Sequence, residues 1–377
     1  MVEFKPIPLS LSDLFATSEE GTPLFHPLIY MAVWVSISCC MILMNKAILT
    51  SWHFRYPIFL TMWHMFFGTL LTQVLCRKYP AMFKSVVEGR VTKEVVVRKI
   101  VPIAFFFSLS LIFSNTAYIY LSVSFIQMIK AFTPVNVLLL SYMLKLESNP
   151  SAMQMGIVFM ICFGVAMSSI GELNFNMVGF IYQILGGFCE SGRLVLSDRF
   201  LKDLKLDSLS TLYFTAPVCF CFLFISFMTV EYSTFDRSVL TFGFLIVLVL
   251  NGLLAFSLNI AIVLLITNTS ALVLTLTGLF KDIMLVLFSV VVFFTPITTI
   301  QVFGYSISLY GMNLYKEYKT DPAIVQAKLV WLLAAVGAVP KVAIVSSPDT
   351  ELLINLNEAR GEAIGSSSSS MEKGSIN

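Results

Sequence analysis

The sequence predicts an all-α polytopic membrane protein, and three features point to that class. Of 377 residues, 57% are hydrophobic and only 12% charged, with a mean hydropathy of +0.86. That balance lies far outside the range of an ordinary soluble domain. The apolar residues gather in ten runs close to the roughly 20 residues that cross a bilayer as a helix. Lysine and arginine collect between alternate pairs of those runs.

The runs lie near 27–49, 56–76, 100–121, 122–145, 151–170, 176–196, 208–229, 239–263, 270–294 and 296–315. Ahead of them, residues 1–26 carry Glu3, Asp13, Glu19 and Glu20 and no arginine. This is unlike an Arg-rich, acid-poor transit peptide, and it lacks the charged-then-apolar order of a cleaved signal. The third and fourth runs almost touch, which predicts a tight hairpin. After the tenth, residues 316–377 form a cytosolic tail. In it, Leu329 to Val339 is too short to span, and Gly365 to Asn377 has the composition of a disordered end.

Cations in the loops set the orientation. With the N-terminus in the cytosol, sixteen lysines and arginines from Lys5 to Lys341 fall in cytosolic segments, against Arg55 and Arg237 on the other side. Both termini are therefore expected in the cytosol. The sequon Asn268-Thr269-Ser270 then falls in a cytosolic turn and is expected to go unused.

Ten spans divide into 27–170 and 171–315, five in each half. An odd number per half gives the halves opposite orientations, the inverted-repeat plan of many secondary transporters. The cations support the division. Ser124 lies six residues before Lys130 in span four, and Thr275 six before Lys281 in span nine, with the lysines 281 − 130 = 151 residues apart. More loosely, Lys46 near the end of span one matches Arg193 near the end of span six.

A lysine at mid-membrane costs about 2.5–3.5 kcal/mol on insertion scales, and such residues normally mark a substrate path. Lys130 and Lys281 sit at that depth. Gln127, Lys130 and Thr133 are expected to share one arc of span four, and Thr277 and Lys281 one face of span nine. Lys46 and Arg193 complete the candidate substrate-binding set. They also lie where long side chains snorkel to the interface, and Arg193 has Glu190 one turn earlier as a structural partner. Asp282 adjoins Lys281, but successive helical residues point about 100° apart, so direct pairing is not expected. His64, Asn115, Asn136 and Asn251 read as hydrogen-bond partners between helices, and Pro102, Pro134 and Pro217 as kinks.

Within the spans, Lys46, Lys130, Arg193 and Lys281 stand against Glu190 and Asp282, so 4 − 2 leaves +2. A basic cavity selects an anion, commonly phosphate. The chain's net charge of +2 is too small to suggest nucleic acid. Seven cysteines, all in or beside apolar runs, give no disulfide framework and no zinc spacing. There is no Walker loop and no nucleophile–base pair, so the residues offer no enzyme chemistry and call for no cofactor.

Asn115 to Pro134, NTAYIYLSVSFIQMIKAFTP, resembles the span-three to span-four signature of the triose-phosphate translocator and nucleotide-sugar transporter family, within the drug/metabolite transporter superfamily. MNKAIL in span one, GEL at Gly171 to Leu173, RLVL in span six and NTSALVLTLTGLFKD across spans eight and nine are also similar to family segments. The likeness covers roughly residues 28–315. It implies a ten-helix inverted repeat that exchanges a phosphorylated sugar or nucleotide sugar for phosphate or a nucleoside monophosphate. In the plastid translocators of this family a Lys-Arg pair in span nine grips the phosphate. The matching positions here are Lys281 and Asp282, which resemble the family's Lys-Asp subgroup. The missing arginine points away from a plastid triose-phosphate carrier and toward the Golgi or endoplasmic reticulum. Alternatives are an exporter of an uncharged compound, which the central lysines disfavour, and a non-transporting receptor or trafficking adaptor working through the tail. A homodimer is compatible with the sequence.

Overall fold

A computed structural model of the protein describes residues 26–52, 54–145, 150–201, 206, 208–268, 271–323, 325 and 328. Residues 1–25, most of the sequon, and the tail stretches 329–339 and 365–377 lie outside them, so the readings made for those segments remain expectations. Among the described residues there is no strand.

The long helices are α1 (Pro27–Thr50), α2 (Pro57–Lys78), α3 (Val101–Tyr120), α4 (Val123–Lys130), α5 (Thr133–Met143), α6 (Ala152–Ile170), α7 (Met177–Leu201), α8 (Ser208–Ser226), α9 (Phe242–Asn268), α10 (Ala271–Phe293) and α11 (Thr299–Thr320). Among the described residues, six helical stretches are long and apolar enough to cross a membrane: Pro27–Thr50, Pro57–Lys78, Lys93–Tyr120, Ala152–Ile170, Leu209–Thr234 and Phe242–Leu265. Counting α4 and α5 as one broken span makes seven. Helices α7, α10 and α11 have 25, 23 and 22 residues. At about 1.5 Å per residue, each exceeds the ~30 Å hydrocarbon core. The protein is a helical, polytopic membrane protein.

Local chemistry sets the helix ends. Pro27 and Pro57 each occupy a first helical position, where the missing N–H would have no partner anyway. Two residues link α3 to α4, as the sequence predicts. Ser122 caps α4 by accepting a hydrogen bond from the Phe125 N–H at 3.2 Å.

One expected span is not continuous. The run 122–145 is broken after Lys130, and its halves bend by 41°. Pro134 explains the position of the break. A proline has no N–H to donate to the carbonyl four residues back, which is Lys130, and its ring crowds that carbonyl. The freed Lys130 carbonyl instead accepts from the Thr133 hydroxyl at 2.6 Å. The break corrects the expectation that Thr133 continues the Gln127–Lys130 arc, because Thr133 begins the next helix. The equivalent position in α10 is 134 + 151 = 285, a leucine, and α10 runs through unbroken.

The described chain forms two compact units, one within residues 1–150 and 161–308, the other within 151–160 and 309–377. In the first, α7 packs along α3, α8 along α2, and α9 along α1, while α10 packs on both α4 and α1. Glycine permits the α7–α3 approach, because a Cβ on Gly186 would come within 2.6 Å of Ser114 Oγ. Tyr30, Trp34, Val35, Cys39, Ala261, Leu265 and Leu285 form the apolar cluster joining α1, α9 and α10. In the second unit, Ser151 Oγ meets the Tyr318 hydroxyl at 2.8 Å, and Glu317 accepts from Asn313 and Lys328.

Candidate functional site

The two central lysines lie on helices that pack against each other: Lys281 on α10, and Lys130 at the end of α4. Asp282 lies between their influences. Its carboxylate is 3.2 Å from the Lys281 ammonium and also within electrostatic reach of Lys130. This pairing corrects the expectation that Lys281 and Asp282 point apart. Their Cα–Cβ directions do differ, but the lysine's four-carbon stem is long enough to arch back over one residue. The Lys281 ammonium also lies 5.5 Å from the centre of the Trp34 ring on α1, a cation–π contact.

Lys130 is placed differently. Among the described residues its ammonium makes no hydrogen bond or ion pair, although Asp282 and Glu190 both act on it at longer range. One turn earlier, Gln127 is 1% exposed, and neither its amide oxygen nor its amide nitrogen has a hydrogen-bond partner among the described residues. The Tyr118 hydroxyl of α3 lies beside it. The hydroxyl of Tyr305 on α11, buried and equally unpartnered, faces the field of Asp282. A buried amide or hydroxyl left without a partner costs about 1–3 kcal/mol. Buried polar groups of this kind, on the helices around a cation with no ion pair among the described residues, suit a polar, anionic ligand. Thr277, one turn before Lys281, is fully buried.

The outer pair of candidate cations is engaged elsewhere. Arg193 holds Glu190 in a two-pronged ion pair, with Nε 3.0 Å from Oε2 and a second contact to Oε1. Its guanidinium stacks 5.0 Å from the centre of the Phe107 ring, and Ser110 donates to the same carboxylate at 3.2 Å. The structural alternative raised for Arg193 is therefore realised. Lys46 reaches across from α1 and donates to two carbonyls at the end of α3, those of Tyr118 and, at 2.9 Å, Leu121. These are C-terminal helix carbonyls with no intrahelical donor, so a cation there satisfies them and favours the helix dipole. The net charge of +2 stands, but three of the four cations are engaged: Lys281 and Arg193 each have a carboxylate, and Lys46 has two carbonyls.

Helix–helix polar contacts hold the frame around the site. His64 of α2 meets the Asn251 side-chain oxygen of α9 at 2.5 Å, and the Asn251 amide donates to Asn45 of α1 at 3.0 Å. Asn115, by contrast, bonds back to Leu111 in its own helix at 3.0 Å. The Glu231 carboxylate, 7% exposed, accepts the Ile58 and Phe59 N–H groups at 2.8 Å each and so caps α2 from the end of the α8 segment. Sequence reasoning missed Glu231, Tyr118, Tyr305 and Trp34 as neighbours of the site or its frame. A glutamate near a span end and aromatics inside spans carry no pattern that would single them out.

Comparison with known proteins agrees with this architecture. The triose-phosphate transporter family matches residues 26–316. A probable sugar phosphate/phosphate translocator of Arabidopsis thaliana is 39% identical over 300 residues, covering 77% of this chain and 82% of the relative. Another of the same description and organism is 38% identical over 293 residues, covering 76% and 86%. A UDP-galactose transporter of Arabidopsis thaliana is 28% identical over 301 residues, covering 79% and 88%. The chain belongs to the triose-phosphate transporter family, whose members are transporters and not enzymes.

Proposed function

We propose that the protein is a secondary antiporter that exchanges a sugar phosphate or nucleotide sugar for phosphate or a nucleoside monophosphate. One observation carries the reading: Lys130, with no hydrogen bond or ion pair among the described residues, ends a broken helix one turn after the buried Gln127 amide and within electrostatic reach of Asp282, which pairs with Lys281. Broken helices at mid-membrane are where such carriers bind cargo, because freed helix ends and charges can face a ligand there. In this reading the cargo phosphate bridges Lys130 and Lys281, while Gln127 and Thr277 meet its oxygens or neighbouring hydroxyls. Lys46 and Arg193 hold helices in place from the ends.

The supporting frame is ten spans in two inverted halves, 27–170 and 171–315, with both termini in the cytosol. Rocking of one half against the other would expose the site to each side in turn. Exchange is favoured because a loaded site supplies the counter-anion that Lys130 lacks when empty. The names of the relatives, sugar phosphate/phosphate translocators and a UDP-galactose transporter, support the cargo class. The Lys-Asp pattern in α10 favours a Golgi or endoplasmic reticulum membrane. The protein could operate there as a monomer or a homodimer.

The test is uptake by liposomes carrying the purified protein. They are preloaded separately with phosphate, UMP, GMP or AMP, then offered labelled sugar phosphates and nucleotide sugars. Uptake that depends on the internal anion is expected for at least one pair. No uptake of any anion, together with transport of an uncharged compound or capture of a protein through residues 316–377, would overturn the reading in favour of an exporter or an adaptor.

A further inference from the structure

We infer that Asp282 is a counter-anion built into the carrier, so that this protein releases cargo in a net, uncoupled mode as well as by exchange. The inference rests on the phosphate-site reading above and goes beyond it. An exchanger is forced to exchange when its empty site is too poorly neutralised to reorient. With Asp282 absent, the empty site would hold two unpaired ammonium groups, Lys130 and Lys281. With it present, Lys281 is paired at 3.2 Å and Lys130 is partly compensated at longer range. The penalty for moving the empty site across the low-dielectric interior falls accordingly.

The surroundings of Asp282 suit a carboxylate that changes partners. Its side chain is 25% exposed and that of Lys281 17%, so neither is sealed inside the packed interior. The titratable groups facing it are Lys281 on its own helix, Lys130 on α4, Tyr118 on α3, Tyr305 on α11 and Cys39 on α1. A phosphate that takes Lys281 repels the carboxylate beside it. The Tyr305 hydroxyl, buried and without a hydrogen-bond partner among the described residues, lies within the field of Asp282 and could donate to the displaced carboxylate. Empty and loaded states thus each leave Lys281 with one anion, and the carboxylate is never stranded.

The experiment uses the full-length protein in liposomes loaded with labelled inorganic phosphate in one set and labelled UMP in another. Membrane potential is clamped with potassium and valinomycin. Efflux is measured into buffer with and without the same unlabelled anion, and the ratio of net efflux to exchange is taken on the same vesicles. The wild type should show measurable net efflux. Asp282→Asn should lower the ratio about tenfold or more, the effect of losing ~1.4 kcal/mol of compensation in the empty state. Asp282→Glu, which keeps the charge, should retain the net mode. Exchange without net efflux in the wild type overturns the inference, as does an unchanged or raised ratio in Asp282→Asn. Parallel loss of exchange in both variants also overturns it, because the carboxylate would then be contacting cargo. Absence of any exchange in the wild type refutes the phosphate-site reading itself.

Discussion

Replacing Lys46 with methionine separates a helix-capping role from a cargo-binding one. Methionine keeps the reach and apolar body of the stem and removes the ammonium. Two hydrogen bonds disappear, those to the Tyr118 and Leu121 carbonyls. Hydrogen bonds from a charged donor contribute about 1.5–3 kcal/mol each, and the helix dipole adds ~0.3–1 kcal/mol. Lys46 is only partly buried, so water recovers some of the loss, and the freed side-chain entropy recovers more. A net destabilisation of about 2–4 kcal/mol follows. In thermal unfolding of the detergent-purified protein this corresponds to a fall of roughly 3–5 °C in Tm, given an unfolding entropy of ~2.1 cal/mol/K per residue over a chain this long. The KM for the cargo should stay within about twofold, a change of only ~0.4 kcal/mol. An unchanged Tm with a KM raised about tenfold would refute the capping argument and return Lys46 to the binding site.

Two further substitutions test the frame. Glu231→Gln leaves one acceptor oxygen where Ile58 and Phe59 need two, so one N–H at the start of α2 loses its partner. A loss of about 1–3 kcal/mol is expected, and a larger one for Glu231→Ala, both read as Tm; equal stability of all three proteins would contradict the cap. Glu172, in the connection between α6 and α7, has its carboxyl raised above the ordinary range by burial, offset in part by the Gln301 amide, the Asn174 backbone and the Ser122 hydroxyl. A carboxyl raised in the folded state binds its proton more tightly there, so folding stability falls as pH rises from about 4.5 through the folded-state value. Glu172→Gln should flatten that part of the Tm–pH profile and gain on the wild type as pH rises, and a difference that stays constant or moves the other way with pH would contradict it.

What the sequence made legible followed from chemistry that stands out against an apolar background. Lys130 and Lys281 are conspicuous because charge is rare inside spans, and Gln127 is one turn from the first. Pro134 announced a kink, and the structure turns it into a break that ends α4 at Lys130 itself. The consequence for Thr133 was not foreseen, because an arc drawn at 100° per residue assumes a continuous helix. The Lys281–Asp282 pair was missed for a related reason: helix geometry fixes where a side chain starts, and a lysine's stem decides where it ends. Lys46 could not have been placed at all, because its partners are backbone carbonyls, which have no residue signature. Tyr118 and Tyr305 were hidden among the chain's 13 tyrosines.

The central claim is that one phosphate is held between Lys130 and Lys281. The most direct test is the exchange kinetics of Lys130→Met and Lys281→Met in liposomes beside the wild type, on the best cargo pair from the uptake panel. Both variants must first run as monodisperse protein with near-native Tm. Loss of exchange in both, with KM raised or transport abolished, is the result the account predicts. Exchange in either variant with wild-type KM and rate would contradict it.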